Sequence, residues 1–182
     1  MVYVGYTTLS PANQLLEAAV KAANRIAYMQ EGHRATCILT SYALNNVLRL
    51  EGFNSKVVRI TARIFPVIHE HRGVILGDPR PQKASGPDMW VGHAAVLVND
   101  QLLLDATLDQ ANTDTVEVYP AIVEIDPSFW HGNSGYRPYR IGNCDVQFYQ
   151  FRHQKGFAST WDATPSAWAR LSHSIREAIH AN

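Results

Sequence analysis

Two apolar runs separated by three polar residues limit the fold of this chain most strongly. Residues 92–98 and 102–106 flank Asn99, Asp100 and Gln101. Short aliphatic runs around a polar turn predict two neighbouring antiparallel strands. Because side chains on a strand alternate between two faces, the number of residues in the loop decides which side chains meet.

The register of the two strands decides whether a histidine at the start of the first meets an aspartate at the end of the second. A three-residue loop places Val98 opposite Leu102. Ala95 then faces Asp105, and His93 lies diagonally from Asp105 on the same face. Five loop residues would set His93 directly opposite Asp105, whereas two or four would separate them. Since an unpaired carboxylate in an apolar sheet costs several kcal/mol, we predict an odd-numbered loop and a contact between these two side chains.

The remaining pattern predicts an α+β fold with a mainly antiparallel sheet. Residues 55–64 alternate as in a strand with one polar face, and 115–119 and 145–151 are later strand candidates. Helix start and stop signals mark three helices. These run from Ser10-Pro11 to about Tyr28, from Thr36 or Cys37 to Gly52, and from Thr164-Pro165 through Ala178. We expect the last helix to pack back on the sheet.

Composition narrows the classes of protein to consider. The 182 residues are 46% hydrophobic and 18% charged, which favours a single domain over residues 1–182. The 16 Lys and Arg balance the 16 Asp and Glu, so no net field would attract nucleic acid or an anionic membrane. No stretch approaches the ~20 apolar residues of a membrane helix, and the first ten residues lack a signal-peptide pattern. We therefore expect a cytoplasmic protein that binds neither nucleic acid nor membranes.

Cys37 is the candidate nucleophile. Two cysteines are too few for a disulfide framework or a Cys-rich zinc site, and a bridge to Cys144 is disfavoured in a reducing compartment. Cys37 opens a predicted helix, where free N–H groups and the helix dipole favour a thiolate, and His33 and Arg34 lie just upstream. A buried, inert cysteine is the alternative interpretation. Cys144 has the weaker claim, because Asp145 beside it disfavours a thiolate.

His93 and Asp105 provide the other two groups that cysteine catalysis needs, a base and a residue that orients the base. Each has a structural alternative, since His93 suits a satisfied core histidine and Asp105 a capping or turn aspartate. Their predicted contact at the ends of two neighbouring strands favours the catalytic interpretation.

The order of these motifs resembles that of the transglutaminase-like superfamily. A cysteine heads a helix that ends at Gly52, a strand follows, His93-Ala94 lies on a later strand, and Leu104-Asp105-Ala106-Thr107 ends the next. The stretch from Cys37 to Val58 is also similar to the leader-peptide proteases of lasso-peptide biosynthesis. The resemblance spans Cys37 to about Gln110. It implies a papain-like or transglutaminase-like fold in which Cys37 is the nucleophile, His93 the general base and then acid, and Asp105 the orienting carboxylate.

The resemblance also concerns the pocket around the nucleophile. By analogy with papain-like enzymes, Gln30 is a candidate oxyanion donor beside the backbone N–H of Cys37, although it could simply end the first helix. The sequence departs from the family at Ala95, where many relatives have Trp, and at Ala106, where they often have Pro. These departures affect the substrate pocket more than the triad.

Two long segments have no clear periodicity, residues 77–92 and 126–144. Loops of this length often serve as lids or binding segments, and the second is rich in aromatic residues. Trp90, Trp130 and Tyr136 are the substrate-binding candidates. A well-packed surface loop is an equally good interpretation.

The function hypotheses follow from these sites. His69-Glu70-His71 lacks a third metal ligand at a recognisable spacing, and no Gly-rich phosphate loop is present, so we expect neither metal nor cofactor. The leading hypothesis is a cysteine peptidase or amidase that acts on a peptide, protein or small amide or ester through a thioester. The alternatives are an acyltransferase that passes the acyl group to an amine, and a non-catalytic binding domain on the same fold.

Overall fold

The computed structural model describes residues 3–4, 10–31, 37–68, 73–77, 93–125, 138–150 and 165–181. These ranges contain three helices, eight strands and a short 3-10 helix. The helices are α1 (Pro11–Glu31), α2 (Cys37–Leu50) and α3 (Pro165–His180). The strands are β1 (Tyr3–Val4), β2 (Ser55–Pro66), β3 (Val74–Leu76), β4 (His93–Val98), β5 (Leu102–Asp105), β6 (Ala121–Glu124), β7 (Tyr139–Ile141) and β8 (Cys144–Gln150), and the 3-10 helix is Leu108–Ala111. The α+β class predicted from the sequence is confirmed.

All eight described strands belong to one sheet, in the order β1-β6-β5-β4-β2-β8-β7, with β3 also paired to β2. Among these strands every pairing is antiparallel except that of β1 with β6. The long strand β2 organises the sheet. Its first half, up to Ile60, pairs with β4, and its second half pairs with β8 on one edge and with β3 on the other.

The helix ends follow the signals in the sequence. At the start of α1, the Ser10 hydroxyl accepts a hydrogen bond from the Asn13 N–H at 3.3 Å, which satisfies one of the free donors of the first turn. At the end of α2, Gly52 has a φ of 87° and the Phe53 N–H donates to the Leu48 carbonyl at 2.9 Å. This is the left-handed C-cap that the glycine at position 52 led us to expect.

The sheet is buried on both faces near its centre. Alternate residues of β4, β5 and β6 pack against the helices, while the intervening ones join a second core with the even-numbered residues of β2. All six residues of β4 are therefore buried. The last helix, α3, contacts α1 and α2. Its Leu171 and Ile175 belong to the same core as Val96 of the sheet, so its apolar face completes the helix layer. In the described part of the chain, no helix combines the length and apolar character needed to cross a bilayer.

Residues 115–119, a predicted strand, form none, although Val116 and Val118 are buried in alternation. The backbone N–H groups of residues 115–118 bond to side chains instead of to a neighbouring strand. The Val116 N–H donates to the Thr113 hydroxyl at 3.2 Å and the Val118 N–H to the Asn112 side chain at 2.7 Å. Such local bonds compete with a ladder, and the strand of this region is β6.

Part of the predicted loop 126–144 is a hairpin. Its last residues form β7 and turn through Gly142, which has a φ of 60°, into β8. Tyr139, one of the aromatic residues of that segment, lies with its ring 6.0 Å from the ring of Phe148. That part of the segment is therefore sheet, while residues 126–137 lie outside the described ranges.

Candidate active site

The hairpin of β4 and β5 has the register that the sequence predicted. Its loop consists of Asn99, Asp100 and Gln101, and the strand residues pair as Val96 with Leu104, Leu97 with Leu103 and Val98 with Leu102. The first two loop residues have φ values of 52° and 55°, which Asn and Asp tolerate better than most residues. The prediction of an odd-numbered loop is confirmed.

This register brings His93 and Asp105 together across the strand pair. Continuing it places Ala95 opposite Asp105 and His93 two residues further along on the same face, a diagonal that long side chains can bridge. The Nε2 atom of His93 lies 2.7 Å from Oδ2 of Asp105. Both side chains are almost completely buried, at 2% and 1% exposure. The predicted contact is therefore present, as a hydrogen bond between two buried side chains.

The second oxygen of Asp105 is held by its own chain. The Thr107 N–H donates to Oδ1 at 3.0 Å, and the Thr107 hydroxyl lies 3.5 Å from the same atom. The carboxylate thus accepts bonds on both oxygens, which fixes its plane and presents Oδ2 to the imidazole. A buried carboxylate is stable in its charged form only when it is paired in this way.

Cys37 is the first residue of α2 and the second polar neighbour of the imidazole. Burial by itself would lower the pKa of His93, but the negative charge of Asp105 and its hydrogen bond raise it, and a hydrogen bond and charge interaction with Cys37 raise it further, to about 10. Since Nε2 bonds to Asp105, Nδ1 is the ring nitrogen left for the sulfur. His93 is therefore a protonated imidazole near neutral pH, held between a thiol group and a carboxylate.

The helix terminus adds a second influence on Cys37. The first four N–H groups of a helix have no partner within it, and the aligned peptide dipoles place partial positive charge there. Cys37 is 6% exposed, so its sulfur is nearly dry and close to both this terminus and the imidazolium. The terminus can therefore stabilise negative charge that develops beside it.

The turn after Asp105 is held in place by side chains that were not among the predicted site residues. Asn24 of α1 donates to the Ala106 carbonyl at 2.9 Å and to the two carboxylate oxygens of Asp109 at 3.1 and 3.0 Å. Together with Thr107, Asn24 links the end of β5 to the helix layer through these hydrogen bonds. The Asp-x-Thr spacing was a usable signal for Thr107, since Asp and Thr favour local side-chain bonds, whereas nothing local pointed to Asn24.

Gly77 is a further position that only the structure identifies. Its φ is 72°, and an added Cβ would lie 2.5 Å from the Ile60 carbonyl and 2.7 Å from the backbone nitrogen of His93. The Thr61 hydroxyl donates to the Gly77 carbonyl at 2.5 Å. Glycine is required here both by conformation and by space, and it allows the end of β3 to approach the start of β4.

Of the other predicted site residues, only Gln30 lies in the described ranges. Gln30 lies in the last turn of α1 with its side chain exposed, and its oxyanion role stays a prediction. Trp90, Trp130 and Tyr136 lie outside the described residues, as does the segment 69–71 with its two histidines. Within the described ranges no three His, Cys, Asp or Glu side chains are grouped so that they could hold a metal ion.

Cys144 differs clearly from Cys37. Both cysteines are free, as expected. Cys144 opens β8, is completely buried in the second core, and donates its thiol to the Asn143 side chain at 2.9 Å. Burial raises its pKa, and the charge of Asp145 adds to the increase, against the lowering effect of a backbone hydrogen bond at Glu117. It packs as a small core residue.

Comparison with known proteins adds no assignment: no protein-family model, curated protein or solved structure matches this chain.

Proposed function

We propose that the protein is a cysteine hydrolase that cleaves a peptide, amide or ester bond through a thioester on Cys37. The observation that supports it most is the buried imidazole of His93, which contacts the Cys37 side chain on one side and lies 2.7 Å from Asp105 on the other. Nucleophile, base and orienting group are the three parts that such catalysis needs. We also propose that the fold is of papain-like or transglutaminase-like type, with the cytoplasm as a reducing compartment for the free thiol.

The reaction begins with the thiolate and imidazolium pair. The sulfur of Cys37 attacks the carbonyl carbon, and the carbonyl oxygen becomes an oxyanion beside the N–H groups at the start of α2. As the carbon–nitrogen or carbon–oxygen bond breaks, His93 gives its proton to the leaving amine or alcohol. The thioester and a neutral imidazole remain.

Water completes the cycle. Neutral His93 removes a proton from a water molecule, whose oxygen attacks the thioester carbon. The carbon–sulfur bond breaks, the carboxylic acid leaves, and the thiolate and imidazolium are restored. Throughout, Asp105 holds the ring through Nε2, so that the same nitrogen, Nδ1, serves first as acid and then as base.

Alkylation with iodoacetamide between pH 5 and 9 tests the nucleophile without knowledge of the substrate. We expect Cys37 to react selectively below about pH 7, as an activated thiolate does, and Cys144 to react slowly at every pH. His93→Gln should slow the reaction of Cys37 most at the acidic end, while His173→Gln, on the exposed face of α3, serves as the control. Equal, slow reaction of both cysteines would refute the proposal.

An activated ester tests the covalent step. With p-nitrophenyl acetate, intact mass spectrometry should detect an acetyl group on Cys37 that disappears with time, and none in Cys37→Ala. Cys37→Ala should keep the unfolding profile of the wild type, since only a sulfur atom is lost. Deacylation that an added amine accelerates would indicate acyl transfer instead of hydrolysis, and retained turnover in Cys37→Ala would exclude both.

A further inference from the structure

Thr40 lies one turn after Cys37 on α2 and is completely buried. Its hydroxyl oxygen has no hydrogen-bond partner in the described part of the chain. A buried hydroxyl without a partner lowers the stability of the folded state, and most buried polar groups in proteins are paired. An unpaired hydroxyl this close to the candidate nucleophile is therefore available for a bond that forms only during the reaction.

Helix geometry places Thr40 beside Cys37. Residues three apart on a helix are neighbours, with about 5 to 6 Å between their Cβ atoms. The Cα–Cβ bonds of a helix tilt toward its N-terminus, so the side chain of Thr40 leans toward the turn that carries the sulfur. Both side chains are buried, since Cys37 is 6% exposed and Thr40 is 0% exposed. The hydroxyl and the sulfur thus occupy neighbouring positions on the same face of α2.

The charge of the sulfur decides whether it can accept a hydrogen bond from this hydroxyl. A neutral thiol is a weak acceptor, whereas hydrogen bonds to a charged group are about twice as strong as those between neutral groups. Threonine in a helix has two favoured side-chain rotamers, so rotation about the Cα–Cβ bond can move the hydroxyl toward the sulfur without a change in the backbone. In the described part of the chain, Thr40 loses no other hydrogen bond when it rotates.

We propose that the Thr40 hydroxyl donates a hydrogen bond to the Cys37 sulfur when the sulfur is a thiolate. This inference rests on the proposed function, because it takes Cys37 as the nucleophile. The thiolate then has two side-chain donors, the imidazolium of His93 and the hydroxyl of Thr40, which keeps its proton throughout. The bond is lost when the sulfur becomes part of the thioester and forms again when the carboxylic acid leaves.

The rate of alkylation by iodoacetamide measures the thiolate without knowledge of the substrate. We expect Thr40→Val to lower the rate at Cys37 about tenfold at pH 6, as loss of one hydrogen bond to a charged group does. The effect should be small at about pH 9.5, where an ordinary thiol is already ionised. Thr40→Ala should behave like Thr40→Val, and Thr40→Ser, which keeps the hydroxyl, should retain most of the wild-type rate.

Asn45 provides the matched control on the same helix. Its side-chain oxygen is also buried without a hydrogen-bond partner in the described ranges. It lies eight residues after Cys37, about 12 Å along the helix axis. Asn45→Ala should therefore leave the rate of alkylation at Cys37 unchanged at both pH values.

Urea unfolding tests whether the hydroxyl lacks a partner when the sulfur is absent. In the Cys37→Ala background, Thr40→Val should raise the urea midpoint by about 0.5 M, because it removes a buried, unpaired hydroxyl. With Cys37 present the increase at pH 7 should be smaller, since the hydroxyl can then bond to the thiolate. A lower midpoint in the Cys37→Ala background would mean that the hydroxyl has another partner, and would refute the proposal. The same profiles show whether each variant remains folded.

The outcomes separate the two proposals. If Cys37 reacts selectively but folded Thr40→Val and Thr40→Ala react at the wild-type rate, the role of Thr40 is refuted and the hydrolase proposal stands. If wild-type Cys37 shows no selective reaction, both fall. An equal loss of rate in Asn45→Ala or Thr40→Ser would refute a specific role of the Thr40 hydroxyl. Unchanged alkylation with slower turnover of p-nitrophenyl acetate in Thr40→Val would assign the hydroxyl to the substrate instead of the sulfur, and would also refute the proposal.

Discussion

Replacing Asp105 with Asn removes one negative charge from a buried pair while keeping the shape of the side chain. In the wild type, the pKa of His93 is raised from 6.5 to about 10. A group whose pKa is higher in the folded state stabilises the fold fully below its unfolded pKa, and that contribution is lost as the pH rises through the folded value. The contribution of His93 should therefore be complete below about pH 6.5 and decline toward pH 10.

The magnitude follows from the same shift. At about 1.4 kcal/mol for each pH unit, a rise from 6.5 to about 10 is worth at most about 5 kcal/mol. In Asp105→Asn the charge that opposed the effect of burial is gone, so His93 should be neutral at pH 7. Loss of one partner of a buried pair costs about 3 to 5 kcal/mol, and we expect the free energy of unfolding at pH 6 to fall by about that amount.

Urea unfolding between pH 6 and 10 measures both effects. The free energy of unfolding of the wild type should decrease across this range, and that of Asp105→Asn should start lower and change little. Asp100→Asn is the matched control, because that aspartate is an exposed hairpin residue paired with Lys56 at 2.6 Å. If Asp105→Asn kept the wild-type dependence on pH, His93 would not owe its charge to Asp105, and the electrostatic account of the site would be incorrect.

Two further substitutions test how the site is held in place. Gly77→Ala should lower the free energy of unfolding by about 2 to 4 kcal/mol, because its Cβ would collide with backbone near His93. Gly52→Ala, with a similar φ but nothing within 4 Å, should lower the free energy of unfolding, measured in urea, by only about 1 kcal/mol. Asn24→Asp should both destabilise the protein and slow alkylation of Cys37, since it places a second carboxylate beside Asp109. If Asn24→Asp were as stable and as reactive as the wild type, the hydrogen bonds of Asn24 would not position the site.

Local sequence determined the hairpin that pairs the histidine with the aspartate. The loop of three polar residues between aliphatic runs fixed the register, and the register alone decided that His93 and Asp105 share a face. The helix that begins at Cys37 and ends before Gly52 was equally predictable. These features depend on side-chain alternation, capping and turn preferences, which act within a few residues of the chain.

Tertiary packing decided the rest. The contact of Cys37 with His93 joins the start of a helix to the start of a distant strand, and its formation depends on how α2 lies on the sheet. The bond of Asn24 to the turn after β5 has the same origin. No local preference encodes such contacts, because they arise only when the two buried faces of the sheet and the apolar face of each helix select one common arrangement.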